Sequence, residues 1–203
     1  MSIQILEKIF GSSARVKIMR LFLFNPEESF DKTDITKKSK VSASSIQKEL
    51  NNLLGMGFIK KKSFFKEVKL KSGIKNKRVQ GYTIDSNFLY INQIKSLLAG
   101  TEPLQHGDVV KKLNRSGKVK LVVLSGLFLQ EENSRLDLLL VVDEVKDRVL
   151  KNAINILESE VGKELSYAVF SSHDFKYRLG VHDRVVRDVF EYPHQVVIDR
   201  LGL

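Results

Sequence analysis

Two short segments dominated by Val and Leu constrain the fold of this chain more than any other feature. They read KVKLVVL at residues 118–124 and RLDLLLVVD at residues 135–143. Runs of this length and composition predict strands that are buried on both faces of a sheet. A third strand is predicted for KELSYAVFS, at residues 163–171. Helical segments separate these strands, and the alternation predicts a small α/β domain.

Helical periodicity in this half predicts the layers that cover the sheet. One helix is expected at residues 108–117, a longer one at 145–162, and two short ones at 172–179 and 183–190. For the longer helix the spacing predicts a buried face made of Val149, Ala153, Ile156, Leu157 and Val161.

The first half predicts three short helices. An amphipathic helix begins in SSARVKIMRLFLFN, with Ser12 or Ser13 as its N-cap. A second helix follows, for which Thr33 is the expected cap. The third begins near Ser42, ends near Gly55, and is separated from the second by a tight turn at 40–41. Two short helices joined in this way predict a helix-turn-helix.

The third helix has a polar face opposite its apolar stripe. The side-chain amides of Gln and Asn can form two hydrogen bonds to the edge of an adenine base. The hydroxyl of Ser can donate to a base edge or accept from one, and Lys can reach guanine or a phosphate. We therefore expect this helix to contact DNA, although a solvated helix face has a similar composition. The predicted contacts are Ser42, Ser44, Ser45, Gln47, Lys48 and Asn51.

A strongly basic hairpin is predicted directly after this helix. Two alternating segments, at residues 63–70 and 78–84, flank the glycine-containing tip KSGIKNK. Residues 60–78 hold nine Lys and Arg and a single acid, Glu67. Lysines on edge strands also prevent aggregation, but that role does not explain a cluster through the tip. The predicted phosphate contacts are Lys60, Lys61, Lys62, Lys69, Lys71, Lys75, Lys77 and Arg78.

The net charge of +10 is confined to one half of the chain. Residues 1–100 contain 19 basic and 8 acidic residues, whereas residues 101–203 contain 15 and 16. This difference in charge between the halves predicts that the first half binds a polyanion, and the expected partner is double-stranded DNA. TEPLQHG marks the boundary, so we predict a DNA-binding domain at 1–98, a linker at 99–107 and a second domain at 108–203.

The segment from LEKIFGSSARVKIMRLFLFN to LNNLLGMGFIKKK resembles winged-helix transcriptional regulators of the ArsR-like type, over about residues 5–85. The resemblance implies sequence-specific DNA binding, with the hairpin as the wing. It also implies a homodimer formed through a connecting helix, for which residues 87–98 are the candidate. Metal-sensing members of that family use cysteines or clustered histidines, and because this chain has no cysteine we expect no metal and no cofactor.

The second half resembles the minimal nucleotidyltransferase domain. That family has a Gly-Ser turn after its first strand, an Asp-x-Asp at the next strand, and a third carboxylate on a later strand. Carboxylates in this arrangement hold the Mg²⁺ that bridges the triphosphate and the attacking hydroxyl. Gly126 and Asp137 match the pattern, whereas Leu127, Arg135 and Ser166 replace the serine and the other two carboxylates, with Glu164 the nearest substitute. We therefore expect a degenerate site and no enzyme activity.

The predicted fold class is thus α+β, an N-terminal winged helix-turn-helix followed by a small α/β nucleotidyltransferase-like domain. The predicted function is a transcriptional regulator whose second domain serves dimerisation, binding of a protein partner or nucleotide sensing. There are two alternatives. The chain could be an active nucleotidyltransferase that uses the winged helix to deliver its substrate, or an antitoxin-like module with a helical partner. No apolar run approaches the roughly 18–20 residues that cross a bilayer, so we expect a cytoplasmic protein without a membrane partner.

Overall fold

A computed structural model describes residues 3–70, 73–100, 106–131 and 133–202. The chain is a mixed α+β protein with two small sheets, one of two strands and one of four. The first half is helical with a long hairpin, and the second half is a sheet with helices on both faces. Every helix in the described ranges is too short or too polar to cross a lipid bilayer.

The described residues of the first half form five helices and two strands. They are α1 (Ile3–Phe10), α2 (Ser13–Phe24), α3 (Lys32–Ser39), α4 (Ala43–Gly55), β1 (Ile59–Leu70), β2 (Gly73–Ile84) and α5 (Ile91–Gly100). Their apolar faces meet in one core, which is built around Phe22, Ile35, Leu50 and Leu53 and reaches Leu98 on α5. The sequence analysis predicted every one of these elements except α1.

The helix starts follow from side-chain capping, with one correction. Ser12 caps α2 and Ser42 caps α4, as predicted. The prediction that Thr33 caps α3 is wrong, because Thr33 already lies in the first turn. Asp31 is the cap: its side chain accepts from the Asp34 amide, and the Asp34 side chain accepts in return from the Asp31 amide.

The hairpin is longer than predicted. β1 and β2 are twelve residues each and pair antiparallel from Ile59 opposite Ile84 to Leu70 opposite Gly73. Pairing starts earlier in β1 because Ile59 and Ile84 are both buried in the core of the first half. It also starts earlier in β2, so most of the segment predicted as the glycine tip, Lys75 and Lys77 included, is strand.

The second half begins with α6 (His106–Leu113) and a 3₁₀ turn at Asn114–Ser116. The remaining elements are β3 (Lys118–Leu124), β4 (Leu138–Asp143), α7 (Asp147–Val161), β5 (Tyr167–Phe170), α8 (Ser172–Gly180), α9 (Arg184–Glu191) and β6 (Gln195–Asp199). The strand order is β5-β4-β3-β6, in which only β4 and β5 run parallel. The sequence analysis did not predict β6, which is a short, half-exposed edge strand.

Two apolar layers cover the sheet. α6 and α7 pack on one face, against Val122 and Leu140, while α8 and α9 pack on the other, against Leu121 and Leu139. The buried face of α7 differs in part from the prediction, because Val149 is exposed and its neighbour Leu150 is buried instead.

The two halves contact each other through α2 and the end of α7. Arg20 of α2 is 1% exposed; its guanidinium donates to the carbonyl oxygens of Glu160 (2.8 Å) and Leu98 (3.1 Å). Asn25 donates to the carbonyl oxygen of Gly162 at 2.8 Å. Gly162 has φ +88°, and a Cβ there would lie 2.6 Å from the Cβ of Arg20, so only glycine allows this close approach.

Each apolar cluster of the described residues lies on one side of the predicted domain boundary, although the two halves are in contact. The cluster of the first half extends from Leu6 to Leu98, and those of the second half lie between Val109 and Leu201. Residues 101–105 of the predicted linker lie outside the described residues. The division at 98 and 108 stays a prediction.

Candidate functional site

The polar face of α4 is open to solvent over its whole length. Ser44, Gln47, Lys48 and Asn51 are exposed, whereas Ile46, Leu50 and Leu53 on the opposite side are buried. The side-chain amide nitrogen of Gln47 donates to the Asn51 Oδ1 at 2.8 Å. Two amides one helical turn apart on the predicted polar face are therefore joined by a hydrogen bond and present a donor and acceptor surface.

The serines at the start of α4 have a second role in the helix itself. The Ser42 Oγ accepts from the Ser45 amide at 3.4 Å and lies 3.0 Å from the hydroxyls of both Ser44 and Ser45. The three predicted contacts therefore form one hydroxyl cluster at the helix N-terminus. Their hydroxyls can donate to an anion, to which the helix dipole adds attraction.

An ion pair that the sequence analysis missed holds α4 against α2. The Glu49 carboxylate is 2.8 Å from the Arg15 Nε, and Arg15 also donates to the Phe10 carbonyl oxygen. Burial alone would raise the pKa of Glu49, but the hydrogen bonds from Arg15, Ser12 and Asn52 and the charge of Arg15 together outweigh it and hold the pKa below its usual value. A charged residue inside an apolar stripe was the available signal for this pair.

Most of the hairpin cations are exposed and have no carboxylate neighbour. Lys61, Lys62, Lys75, Lys77 and Arg78 are all exposed. None of these five makes an ion pair within 4 Å among the residues that the structure describes. Their charge therefore faces solvent, as the DNA-contact prediction requires.

The other predicted hairpin contacts differ from these. Lys60 lies 3.2 Å from the Asp85 carboxylate, so its charge is partly neutralised. Lys69 is in β1, but its side chain is not described, and Lys71 lies outside the described residues. The predicted contacts of Lys69 and Lys71 therefore stay predictions.

Lys66, which was not among the predicted contacts, fastens the hairpin to α3. Its ammonium is 2.9 Å from Asp31 and 2.5 Å from Asp34, the two acids of the α3 capping box. Desolvation would lower the pKa of Lys66, but the hydrogen bonds to Asp34 and Asp31 outweigh it and raise the pKa. Burial would raise the pKa of Asp31, but the contact with Lys66 and the backbone amides of Asp34 and Thr33 together hold it below its usual value.

The loop between β3 and β4 is organised by Asp137. This residue is 7% exposed; its Oδ1 accepts from the Leu127 amide at 2.7 Å and its Oδ2 from the Ser166 amide at 2.8 Å. Gly126 has φ +52°, and a Cβ there would lie 2.2 Å from the Asp137 Oδ1. Both carboxylate oxygens of Asp137 therefore bond to the backbone of neighbouring segments.

Arg135 and Glu164 are engaged in ion pairs. The Arg135 Nε is 2.7 Å from the Asp188 Oδ2 on α9. The Glu164 carboxylate lies 2.7 Å from the Lys38 ammonium on α3, a contact that lowers the pKa of Glu164. Arg135 and Glu164 lie near the positions where carboxylates of the metal site were expected. Each is therefore held in an ion pair with a residue of another element.

A cleft of about 590 Å³ separates this loop from the first half. Leu127, Asp137 and Ser166 line one side, and Lys95 and Leu98 of α5 line the other. Within the described ranges, no three His, Asp or Glu side chains are grouped in a way that could hold a metal ion. The cleft has room for a small ligand, but its walls offer a mixture of apolar, basic and acidic side chains.

Comparison of the chain with protein-family models, with curated proteins and with solved structures finds no match.

Proposed function

We propose that this chain is a DNA-binding transcriptional regulator of winged-helix architecture. In this proposal α3 and α4 form the helix-turn-helix, α4 is the recognition helix, and the β1–β2 hairpin is the wing. The observation that carries it is the exposed amide and lysine face of α4, next to a hairpin whose outer cations have no carboxylate partners.

The fixed geometry of these two surfaces supports the proposal. Glu49 and Arg15 hold α4, and Lys66 with Asp31 and Asp34 holds the hairpin, so both belong to one rigid unit. A helix that enters the major groove reads base edges, whereas basic strands beside it bind phosphates without reading sequence. The division of side chains matches this division of roles, with amides on α4 and cations on the hairpin.

The second half, in this proposal, is a nucleotidyltransferase-like domain that has lost catalysis. Asp137 is occupied with two backbone amides, Leu127 has no group that can bond to a phosphate, and Arg135 carries positive charge where a metal ligand is needed. The domain then serves dimerisation, a protein partner or nucleotide sensing. The exposed Leu89 and Tyr90, just before α5, support dimerisation near that helix.

Mutations on the two surfaces should have different effects on duplex binding. Changing Lys61, Lys62, Lys75 and Lys77 to Gln should weaken binding to all duplexes alike and flatten the salt dependence by about one log–log unit per lost phosphate contact. Gln47→Ala and Asn51→Ala should instead reduce discrimination between sites, by roughly 1–3 kcal/mol each. Titrations by fluorescence anisotropy over a range of salt concentrations measure both effects.

Lys176→Gln is the control, because Lys176 is exposed on α8, on the far side of the second half's sheet from α7. If the four-lysine variant bound duplex with the same affinity and the same salt dependence as the wild type, the hairpin would be excluded from the interface. A wild-type protein that binds no duplex at low salt would refute the proposed function.

A further inference from the structure

The exposed face of α7 has the same kinds of side chain as the exposed face of α4. Arg148, Lys151, Asn152 and Asn155 line one shallow surface and occupy positions i, i+3, i+4 and i+7 of the helix. This spacing places all four on one side of α7, away from Leu150 and Leu157, which are buried under the sheet. We call these four residues the α7 stripe.

The α7 stripe continues into a cleft shared with the helix-turn-helix. Lys151 and Asn155 line this second cleft, of about 380 Å³, together with Lys37 and Lys40. Lys40 is the C-cap of α3, two residues before Ser42, the N-cap of α4. One end of the stripe therefore lies beside the start of the proposed recognition helix.

The acidic groups in this cleft are already occupied. Asp34 is paired with Lys66, Glu164 with Lys38, and Glu158 accepts from the Leu165 amide at 3.1 Å. Desolvation by burial raises the pKa of Glu158, against the effect of its hydrogen bond from the Leu165 amide.

The cations that remain are exposed. Lys37, Lys40, Arg148 and Lys151 make no ion pair within 4 Å to any described residue. Exposed cations beside a recognition helix that no carboxylate holds within 4 Å favour a phosphate backbone as the ligand, since phosphate contacts supply most of the sequence-independent affinity for DNA.

We propose that the α7 stripe, together with Lys37 and Lys40, is a second phosphate-binding surface that extends the DNA interface onto the second half of the chain. The inference rests on the proposed duplex binding. The stripe is about 10 Å long at 1.5 Å per residue, and one DNA strand carries about three phosphates over that length of the duplex axis. The buried contacts of Arg20 and Asn25 hold α7 in a fixed position relative to α2, so the two surfaces act on one duplex.

The test uses the full chain with the double change Arg148→Gln and Lys151→Gln. The matched control is Lys176→Gln with Arg187→Gln, which removes two charges from exposed positions on α8 and α9, across the sheet. The probe is a mixed-sequence DNA duplex long enough to extend well beyond the helix-turn-helix on both sides, titrated at several salt concentrations. Circular dichroism and thermal unfolding establish that both variants fold.

The α7 variant should bind about tenfold more weakly, with a salt slope flatter by about two units and unchanged preference between sequences. The control should retain the wild-type slope. Wild-type affinity and slope in the α7 variant would overturn the inference while leaving the proposed function intact, and so would an equal loss in the control, which would reduce the effect to net charge. Absence of duplex binding by the wild type would remove both proposals together.

Discussion

At the scale of single residues, Asp137 shows how a carboxylate can keep its position and serve a structural role. It is buried between the Gly126 turn and the start of β5, and each of its oxygens accepts from a backbone amide. Buried acceptors that satisfy amides on two separate segments are costly to remove. The local backbone therefore depends on this carboxylate whether or not it ever meets a metal ion.

The change Asp137→Asn should destabilise the protein by about 2–3 kcal/mol, because an amide nitrogen would then face a backbone N–H that needs an acceptor. Chemical denaturation measures the difference in the free energy of unfolding. Glu67→Gln is the control, as Glu67 is exposed on the hairpin, and it should change stability by less than about 0.5 kcal/mol.

The same variant tests the lost catalysis. The wild type, incubated with labelled nucleoside triphosphates, Mg²⁺ or Mn²⁺ and candidate acceptors, should show no transfer. Transfer by the wild type that disappears in a stable Asp137→Asn protein would make Asp137 catalytic and reverse the proposal.

At the scale of elements, the hairpin is positioned by one lysine among many. Lys66 and Lys77 lie directly opposite each other in the β1–β2 register. Only Lys66 meets carboxylates, those of Asp31 and Asp34, while Lys77 remains exposed. One lysine of this cross-strand pair therefore has a structural role, and the other is available to a ligand.

Lys66→Met should lower the free energy of unfolding at neutral pH by about 1–3 kcal/mol, because two carboxylates lose the cation between them. The folded-state pKa of Asp31 is depressed, so the contribution is present above the unfolded-state pKa of about 4 and is lost as the pH falls through the folded-state value. Denaturation at neutral and acidic pH should show that the difference in the free energy of unfolding between the wild type and Lys66→Met becomes smaller in acid.

Lys77→Met is the matched control for this change, since it removes the same charge from the facing strand position. It should leave stability within about 0.5 kcal/mol of the wild type. Equal destabilisation by both changes would mean that the ion pairs to α3 do not hold the hairpin.

At the scale of the whole molecule, the two halves are joined by the close approach of α2 to the end of α7. Arg20 satisfies carbonyl oxygens at the ends of both α5 and α7, and burial lowers its pKa to about 10, which leaves it cationic at neutral pH. Its aliphatic stem packs against Gly162, where no side chain would fit.

Gly162→Ala should loosen this interface, because the new Cβ would meet Arg20 and the backbone is in a conformation that favours glycine. Gly202→Ala is the matched control: its φ is +74°, similar to the +88° of Gly162, but nothing lies within 4 Å of its added Cβ. Both changes should cost about 1 kcal/mol of backbone strain.

Only Gly162→Ala should separate the unfolding of the two halves and speed proteolysis between residues 99 and 107, as measured by calorimetry and limited digestion. A single transition at the same temperature in both variants would show that the contact does not couple the halves.

The sequence by itself determined the local structure of this protein. Caps at Ser12 and Ser42, the tight turn at Lys40, the hairpin, the buried strands β3 and β4 and the half-exposed strand β5 follow from side-chain chemistry and periodicity within a few residues. The exposed polar face of α4 could be predicted for the same reason.

Only the tertiary structure decided which of the many charged residues are free to meet a ligand. Lys66 and Lys38 are bound to carboxylates, while Lys77 and Lys37 are exposed, and nothing in their local sequence separates them. The strand β6, the partner of Arg135 and the meeting of Arg20 with Gly162 depend likewise on segments distant in the chain. Charge pairing and edge-strand formation are set by neighbours in space, and a sequence pattern records only neighbours along the chain.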